Sequence, residues 1–266
     1  MLSKLLKYEI KATGRIFVPI YLALLIFAVV NRFVLALRSD QWHMPAVISM
    51  AVYIAIMVAM FVMTLIMMIQ RFYKNLLSDE GYLMLTLPVR PWSHIVSKLL
   101  VSLLWIMASG LVAMLSIMII ALQKESIAAL IREAVPFFQQ VFAYVGSRVF
   151  LWSLEAVIAF LLSIVAGILI VYASIAIGHL FNNHKIFASF GAFVMLNTLS
   201  QIIIATIFLP LGNTLFPNMH VPPADLSAVH WAVQGTILYF IFITGLLAAA
   251  YFALTNHILT KRLNLE

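Results

Sequence analysis

The sequence predicts an all-α integral membrane protein with six transmembrane helices, and three observations predict it. First, 65% of the 266 residues are apolar and only 9% are charged, against roughly half and a quarter in soluble domains. A soluble core of that composition would leave too little polar surface to cover it. Second, six apolar runs reach the ~20 residues that a membrane-crossing helix needs. Third, the basic residues gather in alternate connections, as they do when one side of a membrane holds them back. The excess of 16 Lys and Arg over 9 Asp and Glu is therefore a topological signal and calls for no nucleic acid. With no cysteine, disulfides and thiolate metal sites are excluded.

At the N-terminus, Lys4, Lys7 and Lys11 share one helix face, while Leu2, Leu5, Leu6 and Ile10 fall largely elsewhere. This predicts an N-terminal amphipathic helix suited to an anionic inner leaflet. It reads equally well as a positive flank that orients the next span. The apolar run that follows has no small-residue cleavage site near a short core, so it reads as a retained helix. This first span, about 16–37, carries Asn31 and Arg32 near its far end, where an arginine snorkels to the interface.

The second span, about 46–70, is rich in methionine. Met60, Met63 and Met67 fall on one face. Flexible thioethers suit a surface that repacks around varied apolar ligands, which makes these three a candidate substrate pathway; they suit gap-filling between helices as well. The third span covers about 99–122. Between 123 and 148, Ile127, Leu130, Ile131, Ala134, Phe137, Phe138 and Val141 recur at helical spacing, with Arg132 and Glu133 on the other side. Pro136 breaks or kinks such a helix. The Arg-Glu pair argues for an interfacial helix or a helical hairpin rather than a span.

The fourth span, about 149–177, holds Glu155 in its first turns, placed to pair with Arg148 or to line a cavity. Ala159, Ser163 and Gly167 form a small-residue ladder that permits close helix packing. His179 and His184 follow in a polar loop, a spacing that makes no metal site. The fifth span, about 186–209, contains Asn197, Ser200 and Gln201, and Asn197 joins the candidate pathway. A loop with Pro210, Pro217, Pro222 and Pro223 leads to the sixth span, about 231–256, with a second ladder at Gly245, Ala249 and Ala253. No internal repeat or domain boundary is visible, so 1–266 reads as one transmembrane domain.

Six spans put both termini on one side. Lys4, Lys7, Lys11, Arg15, Arg71, Lys74, Arg90, Lys98, Lys185, Lys261 and Arg262 fall there, against Arg38, Lys124, Arg132 and Arg148 opposite. The positive-inside rule predicts that both termini are cytoplasmic, in a multi-pass protein of the cell membrane. There is no GxxxxGK[ST] loop for ATP and no HExxH or GxSxG signature of hydrolysis. Few ionisable residues lie within the spans to run an ion relay. A transporter built this way takes its energy from elsewhere.

The stretch from Arg71 to Lys98, RFYKNLLSDEGYLMLTLPVRPWSHIVSK, offers the place. Ser78 or Asp79 is a good N-cap, and Asp79 and Glu80 suit a helix N-terminus. Gly81 permits a sharp turn, and Tyr82 to Leu87 make a helix of one or two turns closed by Pro88. Leu83, Leu85 and Leu87 are too apolar for an exposed loop and mark either a binding surface or a helix half-sunk in the leaflet. The run SDEGYLMLTLPVRPWSHIVSKLLV resembles the type 2 permeases of ABC exporters, especially the single-domain forms of Gram-positive bacteria. The resemblance implies a cytoplasmic coupling helix between spans two and three that docks into a separately encoded ABC ATPase. Glu80 and Gly81 would open it, Tyr82, Leu83, Leu85 and Leu87 would lie in it, and Pro88 would end it. Arg71, Lys74 and Lys98 would be its membrane hinges, with Lys98 beginning the third span. It also implies a second permease copy or a sister permease, with ATP and Mg held by the partner ATPase and no cofactor on this chain. The substrate implied is a peptide antibiotic, drug or lipid. Two other classes stay open: an ion-coupled secondary carrier using Glu155 and Asn197, and a non-transporting membrane scaffold.

Overall fold

A computed structural model describes residues 2–36, 43–77, 91–121, 124–146, 148–181, 184–215 and 226–261. Among these residues the chain forms seven α-helices and no strand: α1 (Leu2–Ala36), α2 (His43–Leu76), α3 (Pro91–Ala121), α4 (Lys124–Val145), α5 (Arg148–Gly178), α6 (Lys185–Leu215) and α7 (Leu226–Lys261). All but α4 are long and apolar enough to cross a membrane. The chain is thus an all-α protein with six candidate spans, and the segment 123–148 is not one of them.

The helices outrun the apolar windows that reveal them, because backbone hydrogen bonding continues past the hydrocarbon into the headgroups. Two consequences correct the sequence reading. The basic N-terminal stretch is not a separate surface helix, since it runs without interruption into the first span. The third helix begins at Pro91, eight residues before the predicted apolar start. Proline at the first helical position loses no hydrogen bond there and has φ already set for a helix. Pro136 does not split 124–145 into a hairpin: α4 continues through it. Gly146, at φ 62°, ends α4 in the left-handed conformation that glycine adopts freely, its N–H bonded to the Phe142 carbonyl at 2.9 Å.

The described helices fall into two compact units. The first holds α1, α2, α3 and the start of α4, and the second holds the end of α4 with α5, α6 and α7. In the first unit α1 packs on both α2 and α3. Among the described residues its apolar core includes Leu24, Ala28, Tyr53, Met60 and Ala113, and Phe17, Met67, Val101 and Trp105. In the second unit α5 packs on α7 and α6, and Ile168, Leu169, Tyr172, Ala173 and Ala176 of α5 are buried.

The small-residue ladders do not make these contacts. A methyl group added at Gly167 or Gly245 would meet nothing within 4 Å, and Ala249 and Ala253 are exposed. The close approach lies instead at Gly178, where an added methyl would lie 2.5 Å from the Ser189 backbone nitrogen and 2.6 Å from its Cα.

Candidate functional site

The proposed coupling residues Glu80, Gly81, Tyr82, Leu83, Leu85, Leu87 and Pro88 lie outside the described residues. Their flanks are described, and they converge. Arg71 lies five residues before the end of α2, and Lys98 lies two turns into α3. Lys98 is buried, and its Nζ donates to Glu9 Oε1 at 2.8 Å. Arg71 Nη1 lies 3.8 Å from Glu9 Oε2. One carboxylate on α1 thus ties together the two helix ends that border 78–90. Glu9 makes burial of the Lys98 charge tolerable. Lys74, in the last turn of α2, is exposed.

Above Glu9 a polar seam runs through the three helices. The buried Thr13 hydroxyl donates to the Glu9 carbonyl at 2.7 Å and accepts from the Trp105 indole N–H at 2.8 Å. The Trp105 ring stacks on Phe17 at 4.4 Å between centroids. Further along, Ser109 bonds to the Tyr21 hydroxyl at 2.9 Å and the Thr64 hydroxyl at 3.0 Å, one residue from each helix. Tyr53 and Ser116 pair at 2.8 Å. Asn31, also buried, donates to the carbonyls of Phe27 and Ser49 at 2.9 and 3.2 Å. Arg32 reaches the Ile119 carbonyl at 3.4 Å, near the C-terminal end of α3, where a cation is favoured. Hydrogen bonds between helices in lipid average only about 0.6 kcal/mol each, so the seam sets register more than it adds stability.

A cavity of about 20 Å³ opens beside the ion cluster, lined by Glu9, Thr13, Arg71, Lys98 and Ser102 among others. That is room for one water molecule. A larger apolar groove of about 230 Å³ lies between α2 and α3, bounded by Phe61, Thr64, Leu65, Met68, Ile106 and Ser109. Met60 and Met63 line neither space. Met60 and Met67 are buried core, and Met68 lines both spaces. Asn197 is exposed on α6 and lines neither.

Comparison with family models, curated proteins and solved structures returns no match.

In the second unit Glu155 meets Gln234 and not Arg148, which is exposed. The Gln234 side-chain N–H donates to Glu155 Oε1 at 2.5 Å, and Gln234 Oε1 accepts from the Trp152 indole at 2.7 Å. Because an indole N–H is only a donor, it fixes which way the amide points. Glu155 Oε2 is buried with no hydrogen-bond partner. His230 packs edge-on against Trp152 at 5.6 Å.

Sequence reasoning missed Glu9, Thr13 and the serines. A signal for the serines existed: Ser102, Ser109 and Ser116 recur every seven residues on α3, the spacing of a helix-packing seam. Glu9 carried no such signal, since an acid among four basic residues reads as a solvated charge. Only the fold brings it to Lys98, 89 residues away.

Proposed function

We propose that the chain is the membrane-spanning permease subunit of an ATP-driven exporter of the ABC type 2 class. It moves an amphipathic or hydrophobic substrate such as a peptide antibiotic, drug or lipid. ATP and Mg are bound by a separate cytoplasmic ABC ATPase, and a second permease copy or a sister permease completes the path through the bilayer. In this reading both termini and the 78–90 segment are cytoplasmic, in the cell membrane. The observation that carries it is the run SDEGYLMLTLP, an apolar stretch with helix-start chemistry. It is joined to helix ends that one half-buried carboxylate, Glu9, clamps together. A force on that segment passes to α2 and α3 directly and to α1 through Glu9. ATP binding would then shift the equilibrium of the spans through different contacts in the two states.

The test is co-purification. The wild-type chain is expected to bring down a soluble protein with a phosphate-binding loop. Replacing Leu83 and Leu87 with Asp is expected to release it while the permease stays folded in detergent, since each leucine docked in a groove contributes about 1.5–3 kcal/mol. Retention of the ATPase at the wild-type ratio would overturn the coupling assignment.

One observation favours the second reading, an ion-coupled carrier: Glu155, a carboxylate within a span, has an oxygen with no partner, and such residues commonly mark ion pathways. Glu155→Gln separates the readings. It abolishes transport in the carrier and leaves ATP-dependent export running in the exporter.

A further inference from the structure

The first fifteen residues carry two faces with different commitments. Glu9, Thr13 and Phe17 recur every four residues and turn inward, and Thr13 and Phe17 are buried. Lys7, Lys11 and Arg15 recur with the same spacing, about 200° away around the helix at 100° per residue, and all three are exposed. Among the described residues none of the three takes part in an ion pair, the two ion pairs of this region both belonging to Glu9. The Glu9 cluster fixes the rotation of α1 about its axis, so the basic ladder is held outward.

The length of α1 sets the depth of that ladder. The helix has 35 residues, about 52 Å at 1.5 Å per residue. Residues 16–36 cover about 31 Å of it, matching the ~30 Å hydrocarbon layer. Placing 16–36 across that layer puts residues 11–15 at headgroup depth and Lys7 just beyond. Pro19 falls near this junction; lacking an N–H, it leaves the Arg15 carbonyl without its helical partner. Tyr8, 71% exposed, stands beside the ladder, an amphipathic ring of the kind enriched at this level.

We propose that Lys7, Lys11 and Arg15 form a docking site for the phosphate groups of anionic membrane lipids. The site is held facing the headgroups by the Glu9–Lys98–Arg71 clasp on the opposite side of the helix. The occupant is identified by charge complementarity and depth: three cations in a row, at the level where lipid phosphates lie, on a helix that cannot rotate away. Unlike a helix lying on the surface, this ladder is joined rigidly to a span. Lipid charge bears on the first span itself, whatever the chain transports.

The test measures lipid retention and uses neither ATPase nor transport, so it stands or falls apart from the exporter reading. The full chain is purified in detergent with equal amounts of phosphatidylglycerol and phosphatidylcholine, and the lipids that stay bound are measured by native mass spectrometry at low salt. Wild type is expected to retain phosphatidylglycerol preferentially. At roughly fivefold per basic residue, the triple variant K7Q/K11Q/R15Q is expected to lose on the order of a hundredfold in that preference. The charge-preserving variant K7R/K11R/R15K is expected to keep it, which guards against a fold defect in the first variant. Equal retention of both lipids by wild type would overturn the proposal. So would undiminished preference in K7Q/K11Q/R15Q, or its loss in K7R/K11R/R15K.

Discussion

Among the described residues two carboxylates are half-buried in the helical units, Glu9 and Glu155, and their surroundings could hardly differ more. Glu9 in the first unit faces two cations, Lys98 and Arg71. Glu155 in the second unit faces an amide, Gln234, and leaves an oxygen without a partner. The difference extends to the units themselves. The first is laced by side-chain hydrogen bonds between all three of its spans, through Tyr21, Thr64 and Ser109. The second is joined by apolar faces and one very close approach at Gly178, with polar links at Ser200–Tyr251 and Tyr239–Ile204. A charged clasp resists sliding and rotation because its partners must stay within a few ångströms. An apolar face is less particular about direction. The first unit is thus held by directional polar and charged contacts, and the second chiefly by apolar packing.

The largest effect is expected where a buried charge loses its partner. Glu9→Leu leaves Lys98 without its closest acid and is expected to cost about 3–5 kcal/mol, read as a drop in the detergent unfolding midpoint. Adding Lys98→Leu is expected to restore most of that loss, since a well-packed apolar pair can replace a buried ion pair. Glu155→Gln keeps the acceptor that Gln234 uses and strands no buried cation, so it is expected to cost clearly less than Glu9→Leu. Equal losses for the Glu9 and Glu155 variants would remove the contrast between the units.

Gly178→Ala comes next. Its methyl group would collide with the backbone of Ser189 and not merely with a side chain that can turn away, so a cost of about 1–3 kcal/mol or more is expected. Gly167→Ala, open on all sides, should be near neutral or slightly stabilising in the same unfolding measurement. If the two variants unfolded alike, the close approach would not be what joins α5 to α6.

The smallest effect concerns pH. Burial first, and the nearby charge of Lys185 second, hold the His179 imidazole below its ordinary value of 6.5, partly opposed by a backbone hydrogen bond to Leu77. The folded chain therefore prefers neutral histidine, and the unfolded chain takes up the proton first as pH falls. The contribution is full above about pH 6.5 and is lost as pH drops toward the lower folded value. Unfolding midpoints measured between about pH 5 and 7.5 should fall on acidification, and His179→Gln should flatten part of that slope. An unchanged slope would show that His179 is not its source.

The sequence by itself determined the class of the protein and the number of spans. Hydropathy over some twenty residues is a local property, and in lipid a backbone that meets its own hydrogen bonds within each segment has little choice but helix. It also argued against a span at 123–148, because Arg132 and Glu133 would be left in hydrocarbon. It could not mark where helices end, since Pro91 and the basic first turns lie beyond the apolar windows. Nor could it rank the polar residues inside. The methionines at 60, 63 and 67 carried the right period for a pathway, yet the period alone could not say that Met60 is core, that Met67 is core beside the small cavity, or that Met68 lines both open spaces. Only the tertiary structure decided that Glu9, which local context presents as one charge among many, is the acid that holds three helices. That choice depends on pairing across 62 and 89 residues of chain, and charge pairing at such separations leaves no local pattern to read.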